Sequence, residues 1–312
     1  MPTIAPTPLI IQGPAIVTFN GLSIYTKSPI SVQRKVETFD VKTDFHGAIS
    51  KRLASQMFEI SFTPAGQLVD GTTLGKYLPY ISANVGVSIF GATNTPLVIV
   101  TLAGTTHTFA RAGVSKLPGL KLTSKDTLFK DMSFSAIGNA AVAQNGAHFF
   151  NTVASAAFGD TSFDGAQLKT AQWSAAWGST FTGLGSVDGF DIDFPIEIDD
   201  IKIDGYGVAD RIFKSISATC KFAPSTLTQA QLELLLAYQD TGAVLVGQDM
   251  AVAGNDLVIT SDPLVVTLNK MGPADAEQKF ATGVHRHGDV MFVNKRTWTS
   301  GAANPLATFT VN

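Results

Sequence analysis

Cysteine is almost absent from the sequence, since Cys220 is the single one among 312 residues. One thiol can form neither a disulfide within the chain nor a zinc site built on several thiolates, so both kinds of cross-link are excluded. Cys220 alternates with Ala218 and Phe222 at the spacing of one strand face. This pattern predicts a small buried apolar side chain rather than a reactive thiol.

Charged residues are also scarce. They make up 15% of the chain, against roughly 25% in an average soluble protein, while hydrophobic residues make up 45%. So little polar surface cannot keep the apolar patches of a free monomer apart, and we expect an oligomer that buries much of its surface. A net charge of −3 argues against a protein that grips nucleic acid by neutralising phosphates.

Long apolar runs are missing as well. The best one, residues 96–103, has the length of a strand, whereas a membrane helix needs about 20 apolar residues. The first residues contain early prolines and no basic stretch ahead of the apolar part. We therefore expect neither a membrane segment nor a secretory signal.

The motifs of common enzymes do not occur in the sequence. It has no Ser/His/Asp grouping, no glycine-rich phosphate loop and no HExxH pattern, so we expect no catalytic residue and no cofactor. His285 and His287 would lie on one side of a strand, a geometry that some zinc and nickel sites use. No third ligand is evident nearby, so a solvated strand end is the favoured interpretation and no metal is expected.

What the chain does contain is an internal repeat. Residues 41–64 align without a gap with residues 201–224, an offset of 160 positions, and six of the 24 positions are identical. Average composition would give about one or two identities by chance. The identical pairs are Lys42 and Lys202, Asp44 and Asp204, Gly47 and Gly207, Ser55 and Ser215, Phe62 and Phe222, and Pro64 and Pro224. The resemblance between the halves continues beyond this segment, so we predict a duplicated domain.

Each copy predicts an extended strand, a glycine-bearing loop and a second strand with an alternating apolar face. Residues 225–240 then predict an α-helix in which Thr228 and Gln231 form a capping box. Its counterpart at residues 72–81 is weaker, because a glycine and a proline interrupt it. We therefore predict a mainly β fold of two tandem β-sandwich or barrel-like domains, each with a flanking α-helix.

The predicted domains are residues 1–140, which include an arm at the start, and residues 186–312. Residues 141–185 between them are rich in Ala, Gly, Ser and Thr but also carry aromatic residues such as Trp173 and Trp177. Because a disordered linker would be poorer in aromatic residues, we predict an ordered arm there.

A row of acids is the most unusual short pattern. Asp191, Asp193, Glu197 and Asp199 alternate with apolar residues at the two-residue period of a half-buried strand, with almost no cation nearby to balance them. A solvated face, a calcium site and a catalytic carboxylate pair are the competing interpretations. Calcium ligands usually come from a tightly turning loop, and a catalytic acid needs an apolar pocket, so the solvated face is favoured.

The segment VETFDVKTDFHGAISKRLASQMFEISFTPAG and its repeat IEIDDIKIDGYGVADRIFKSISATCKFAPST resemble the tail tube proteins of long-tailed bacteriophages, which are related to the inner tube of type six secretion systems. In that family, β-sandwich domains with a flanking helix form rings of six. Some phages fuse two such domains in one chain, which forms trimeric rings with pseudo-sixfold symmetry. The resemblance implies a structural virion protein whose rings stack into the conduit for DNA ejection.

The resemblance also implies partners and a location. The partners are further copies of the chain, a tape-measure protein and the proteins at each end of the tail, while DNA passes through without specific binding. The protein would assemble in the host cytoplasm and reside in the virion tail, with no membrane involved.

Two groups of residues acquire roles by the same resemblance. The acidic row of Asp191, Asp193, Glu197 and Asp199 would line the lumen, where it repels phosphate, or face Arg34 and Lys35 of a neighbouring subunit. Loops at residues 43–55 and 203–215 would stack adjacent rings through the charged residues Asp44, Lys51, Arg52, Asp204 and Arg211.

Two other interpretations stay open. A distal tail or baseplate protein would use related domains in a single ring instead of a polymer. A secreted carbohydrate-binding protein or adhesin would use exposed Trp173, Trp177 and Trp298 to stack on sugars. An enzyme is the least favoured interpretation.

Overall fold

The computed structural model describes residues 9–11, 15–65, 76–81, 85–91, 95–101, 104–123, 129–138, 150–154, 173–178, 181–203, 207–236, 255–261, 264–281, 284–295 and 305–311. They form twenty strands and one α-helix, α1 (Gln229–Leu236), so the prediction of a mainly β fold is confirmed. We call residues 15–154 the first half and residues 173–311 the second half.

The strands of residues 9–154 are β1 (Leu9–Ile11), β2 (Ala15–Phe19), β3 (Leu22–Tyr25), β4 (Ile30–Thr43), β5 (Gly47–Phe62), β6 (Leu97–Thr101), β7 (Thr105–Phe109), β8 (Arg111–Lys116), β9 (Leu120–Leu122), β10 (Met132–Ile137) and β11 (Phe150–Ala154). They form two antiparallel sheets, in the orders β1-β4-β5-β10-β8 and β11-β7-β6-β2-β3. Strand β9 belongs to neither of these sheets and pairs with the second half instead.

The strands of the second half are β12 (Ser174–Trp177), β13 (Phe181–Gly185), β14 (Phe190–Asp193), β15 (Ile196–Ile203), β16 (Gly207–Phe222), β17 (Asn255–Ser261), β18 (Leu264–Ala281), β19 (Val284–Lys295) and β20 (Ala307–Val311). Their sheet runs in the order β13-β12-β17-β18-β19-β16-β14-β9, with β15 paired to β16 and β20 paired to β18. Val, Ile, Thr and Phe are frequent in these strands because branched and aromatic side chains pack well on a pleated surface.

The strand register repeats at the offset found in the sequence. Ser31 lies opposite Ser61 across β4 and β5, and Asp191 lies opposite Lys221 across β14 and β16, so both members of the pair are displaced by 160 positions. Register shifts follow Glu37 in β4 and its counterpart Glu197 in β15, and a second shift recurs in the same way. Because a bulge is a specific local feature, its repetition supports duplication of this hairpin.

The second part of each half follows the same plan. Phe134 of β10 lies opposite Ile60, and Phe292 of β19 lies opposite Cys220, which reproduces the two-residue slip between the halves near their ends. Strand β11 pairs with β7, and β20 pairs with the first part of β18. The predicted arm at residues 141–185 thus contributes β11 to a sheet of the first half and β12 and β13 to the sheet of the second half.

The tryptophans in this arm are buried. Trp173 and Trp177 belong to the apolar core, and the indole Nε1 of Trp177 donates a hydrogen bond to the carbonyl oxygen of Met271 at 2.7 Å. The expectation that both side chains are exposed for sugar stacking is therefore wrong, because the chain at β12 turns them toward the core. Trp298 lies outside the described residues.

Helix α1 begins where the capping box predicts. The backbone N–H of Gln231 donates to Oγ1 of Thr228 at 3.3 Å, and the backbone N–H of Thr228 donates to Oε1 of Gln231 at 2.9 Å. The helix packs through Gln231 and Leu235, while Ala230 is exposed. Residues 237–240 of the predicted helix lie outside the described part, and of its counterpart at residues 72–81 only Lys76 and Tyr77 are described as helical.

Cys220 is fully buried, as its alternating pattern predicts, and burial raises the pKa of its thiol. Among the described residues, no helix has both the length and the apolar character that a membrane crossing requires.

Candidate self-assembly interface

The two halves are joined by a shared sheet. Strand β9 of the first half pairs antiparallel with β14 of the second, with Leu122 opposite Phe190 and Leu120 opposite Ile192. All four side chains are buried, so the seam is continuous with the apolar core. Two neighbouring halves can therefore associate by adding a strand to a sheet edge.

A segment of the first half also covers the β16 strand of the second half. The amides of Gly86 and Ile89 donate to the carbonyl oxygens of Phe213 and Arg211, each at 2.9 Å. The amide of Phe213 returns a 2.9 Å hydrogen bond to the carbonyl oxygen of Val87. These backbone bonds satisfy groups that an uncovered edge would leave to water.

Side chains complete this cover. The ring of Tyr80 stacks on Phe213 with 4.8 Å between centroids, and its hydroxyl donates to the carbonyl oxygen of Val114 at 2.6 Å. Arg111 donates to the carbonyl oxygen of Ala209 at 3.0 Å and lies 3.7 Å from the carboxylate of Asp210. The result is that Phe213 has no solvent-exposed surface.

The acidic row lies on the outward face of β14 and β15, where Asp191 is half-buried and the other three acids are exposed, but it is not short of cations. Lys130 of the first half contacts Asp191 and binds both carboxylate oxygens of Asp193, at 2.9 and 3.0 Å. Lys214 lies 2.9 Å from the carboxylate of Asp199. The expectation that almost no cation balances the row is therefore wrong, because the fold brings Lys130 from a distant part of the sequence.

These ion pairs raise the pKa values of the two lysines. Partial burial acts to lower the pKa of Lys130, but hydrogen bonds from its ammonium to Asp191 and Asp193 outweigh burial and raise it. The hydrogen bond to Asp199 raises the pKa of Lys214. Both lysines therefore remain charged, and their positive charges neutralise part of the negative charge of the acidic row.

The remaining acid of the row, Glu197, accepts a hydrogen bond from the hydroxyl of Ser215 at 2.6 Å. The counterpart pair in the first half makes the same bond, with Ser55 donating to Glu37 at 2.9 Å. Each half therefore presents a carboxylate that is oriented by a serine on the neighbouring strand.

The two segments predicted as ring-stacking loops are mostly strand, since residues 47–55 belong to β5 and residues 207–215 belong to β16, so the prediction of loops there is wrong. Asp44, Lys51 and Arg52 are exposed on the β4–β5 hairpin, and Lys51 lies 4.0 Å from Asp40. Arg211 is half-buried and donates to Asp200 and Ser135, each at 2.6 Å, so its side chain is engaged within the chain. Asp204 lies outside the described residues.

One cluster at the junction was missed by the sequence reasoning. Lys202 of the second half donates to both oxygens of Glu37, at 2.9 and 3.1 Å, while Ser55 donates to the same carboxylate. The hydrogen bonds from Lys202 and Ser55 and the charge of Lys202 lower the pKa of Glu37. Gly207 lies directly against Ser55, where a Cβ atom would clash with the serine. We call Glu37, Ser55, Lys202 and Gly207 the junction cluster.

A sequence signal for this cluster did exist. Lys202, Gly207 and Ser55 are among the identical positions of the repeat, and Glu37 is also matched by an identical residue, Glu197. The signal was that each of these residues has an identical counterpart in the other half. The sequence did not show that residues of the two halves meet in one cluster, because that contact depends on the fold.

Within the described part of the chain, the corresponding surface of the first half has no such cover. Leu53, which stands where the second half has Phe213, is 55% exposed, whereas Phe213 is 0% exposed. Four other large apolar residues on the same hairpin are also exposed: Val36, Phe39, Phe45 and Ile49. Leu53 lies opposite Thr38 and Phe39 lies opposite Arg52, so these side chains are divided between the two faces of the hairpin. Exposed apolar side chains concentrated on one hairpin are typical of a protein interface.

No family model matches the chain, and no curated protein matches its sequence significantly. Among the residues that the structure describes, no group of three or more His, Cys, Asp or Glu side chains is arranged to hold a metal ion. The side chains of His285 and His287 lie outside the described part.

Proposed function

We propose that this chain is a structural, non-enzymatic subunit of the tail tube of a long-tailed bacteriophage. Chains join head to tail in rings of three, with six similar domains in each ring, and the rings stack into a hollow conduit for DNA. The observation that carries the proposal is the difference between two equivalent positions, since Phe213 is covered by the first half of its own chain while Leu53 is exposed.

We infer that the contact between the two halves of one chain is repeated between neighbouring chains. The first half covers the β15–β16 hairpin of the second half, and the equivalent β4–β5 hairpin of the first half has no such cover from residues that the structure describes. The second half of another copy can supply it, because the second half repeats the strand order of the first. Such contacts are heterologous, and they end only when the ring closes.

The remaining parts of the proposal follow from the resemblance. The acidic row lines the lumen or an interface, and the exposed Asp44, Lys51 and Arg52 of the β4–β5 hairpin hold successive rings together. A row whose lysines are already paired with carboxylates lets DNA pass, because these cations are engaged within the chain and bind phosphates weakly. A tape-measure protein and the proteins at the tail ends are the other partners, and the assembled protein resides in the virion tail.

The test is assembly of the purified chain at high concentration, observed by negative-stain electron microscopy with mass determination in solution. We expect hollow tubes built from three-chain rings. Leu53→Asp should prevent ring formation, because a carboxylate at this site would be buried without a partner. Leu236→Asp is a matched control, since Leu236 is also exposed, at 51%, but lies on helix α1 away from the hairpin.

Other outcomes would change the proposal. A single closed ring that does not stack would support the distal tail or baseplate interpretation. A chain that remains monomeric at high concentration would overturn head-to-tail assembly altogether.

A further inference from the structure

The chain carries a second, separated copy of the junction cluster. Glu197 and Ser215 are the counterparts of Glu37 and Ser55, and they make the same hydrogen bond. Lys42 and Gly47 are the counterparts of Lys202 and Gly207. Both lie exposed on the outer part of the β4–β5 hairpin.

The two glycines differ in what surrounds them. Both have a positive φ, 65° at Gly47 and 73° at Gly207. A Cβ atom on Gly207 would clash with Ser55, whereas a Cβ on Gly47 would meet no atom within 4 Å. Gly207 therefore packs closely against Ser55, which only a residue without a side chain can do. Gly47 has no such neighbour within the described part of the chain.

We propose that Lys42 and Gly47 of one chain dock on Glu197 and Ser215 of the next chain and rebuild the junction cluster between chains. The inference rests on the proposed head-to-tail assembly and specifies its contact. Lys42 donates to the carboxylate of Glu197, which Ser215 already orients, and Gly47 lies against Ser215. The partner surface is thus a second copy of this chain.

The neighbouring ion pairs do not repeat in this way. Lys130 binds Asp191 and Asp193 across the internal junction. The counterparts of the two acids are Ser31 and Gln33, which carry no charge. The junction between chains thus lacks a counterpart of these ion pairs, and Lys42, Gly47, Glu197 and Ser215 are its contact residues that repeat the junction cluster.

Charge reversal tests the contact. Lys42→Glu and Glu197→Lys each place like charges at the chain junction, and we expect each to raise the concentration needed for assembly by roughly five- to tenfold. The double variant restores an opposite pair and should assemble near the wild-type concentration. Lys270→Glu, the same charge reversal at an exposed lysine of β18 to which no contact between chains is assigned, is the control and should assemble as the wild type does.

The outcomes distinguish a failure of the Lys42 contact from a failure of head-to-tail assembly. If Lys42→Glu assembles like the wild type, or if the double variant is no better than the single ones, the lysine contact is overturned while head-to-tail assembly stands. If the wild-type chain never assembles, the proposed function and this contact both fall.

A second inference comes from strand β1. It pairs with β4 as β9 pairs with β14, because Ile11 lies opposite Ile30 just as Leu122 lies opposite Phe190. Ile30 and Phe190 are equivalent positions of the repeat. In its own chain, β1 therefore occupies the edge position on which a neighbouring half adds its strand.

The strand that belongs on this edge in a ring is the second-half counterpart of β9. It lies near residues 279–281, at the outer end of the β18–β19 hairpin, between the counterparts of β8 and β10. We infer that β1 is a removable cover that protects the β4 edge in the free chain and is displaced when the hairpin of the next chain binds. An uncovered edge would otherwise invite uncontrolled strand pairing.

A reversible lock tests the displacement. Ile10 and Ser31 lie directly opposite each other, and opposed residues of antiparallel strands are about 4.5–5.5 Å apart between Cα atoms, which suits a disulfide. We expect the Ile10→Cys, Ser31→Cys variant to stay unassembled when oxidised and to assemble when reduced. Ser31→Cys alone is the control, and the buried Cys220 is inaccessible for cross-linking.

Two results would overturn the inference about β1. One is assembly of the cross-linked chain at the rate of the reduced chain, and the other is failure of the cross-link to form in the free chain. In either case the wild-type chain still reports on head-to-tail assembly itself.

Discussion

At the scale of single residues, His107 links two strands of the first half. Its imidazole lies 3.0 Å from the hydroxyl of Thr152 and stacks on Phe150, both in β11. Burial lowers the pKa of His107 from its ordinary 6.5. The neutral ring is therefore the form that the folded chain prefers.

This gives a pH prediction with a definite sign. The depressed pKa contributes stability that is complete above pH 6.5 and is lost as the pH falls toward the folded-state pKa. Hydrogen exchange of the β11 amides should therefore quicken, relative to the chain as a whole, between about pH 7 and pH 5, after correction for the intrinsic rate. Val266 lies opposite Ile259 as His107 lies opposite Ile99, so it is the structural counterpart of His107. His107→Val should therefore abolish the pH dependence while installing the residue of the second half. Equal dependence in both proteins would contradict the role of His107.

The two hairpin glycines give a second prediction at this scale. Ala in the left-handed region costs about 1–2 kcal/mol in either position. Gly207→Ala also clashes with Ser55, so it should lower the free energy of unfolding of the monomer by more than Gly47→Ala does. Urea unfolding of dilute monomers measures both. Equal losses would show that Gly207 is not held tightly against the first half.

For single residues, the sequence predicted only which side chains of a strand point toward the core and which point toward solvent. The alternation of Ala218, Cys220 and Phe222 correctly predicts burial, because a strand has a fixed two-residue period. The cations that pair with the acidic row were not predictable in the same way. Lys130 reaches Asp193 only through the β9–β14 pairing, which joins distant parts of the chain.

At the scale of elements, helix α1 shows where local rules suffice. Thr228 and Gln231 lie three residues apart, and their reciprocal hydrogen bonds require only local geometry. The sequence therefore predicts the start of the helix. The buried face was less predictable, since Gln231 and Leu235 pack inward while Ala230 is exposed, and packing against the sheet decides that choice.

The cap yields a prediction about stability. Thr228→Ala removes the side-chain acceptor for the amide of Gln231 and should lower the free energy of unfolding by about 1 kcal/mol. Thermal and urea unfolding measure the loss. Thr226→Ala, the same change two residues earlier in an exposed coil, is the control and should change little. Equal effects of both changes would mean that the cap contributes nothing.

At the scale of the whole molecule, the repeat predicted the equivalence of the halves but not how they join. An offset of 160 carries over to the register of both long hairpins because duplicated sequences keep their pairing pattern. The seam between β9 and β14 has no short-range sequence signature, since it depends on a strand of one half meeting an edge of the other. The segment of the first half that covers Phe213 was not predictable from the sequence for the same reason, since it contacts a distant part of the chain.

The seam predicts that the halves unfold together. A shared sheet, the buried Phe213 and the ion pairs of Lys130 couple them, so dilute monomer should show one cooperative transition in urea. All three tryptophans lie at or beyond position 173, so their fluorescence reports on the second half, while far-ultraviolet circular dichroism reports on both. The two curves should coincide.

Weakening the seam should separate the curves. Arg111 and Lys130 both reach from the first half to carboxylates of the second, and replacing both with methionine removes these contacts while keeping side-chain length. We expect the fluorescence and dichroism midpoints to diverge in that variant, because each half has its own sheets but loses part of its coupling to the other. Separate transitions already present in the wild-type chain would mean that the seam couples the halves only weakly. The β4–β5 face would then have to bind a neighbouring chain without a rigid partner domain behind it, which would weaken the case for a closed ring.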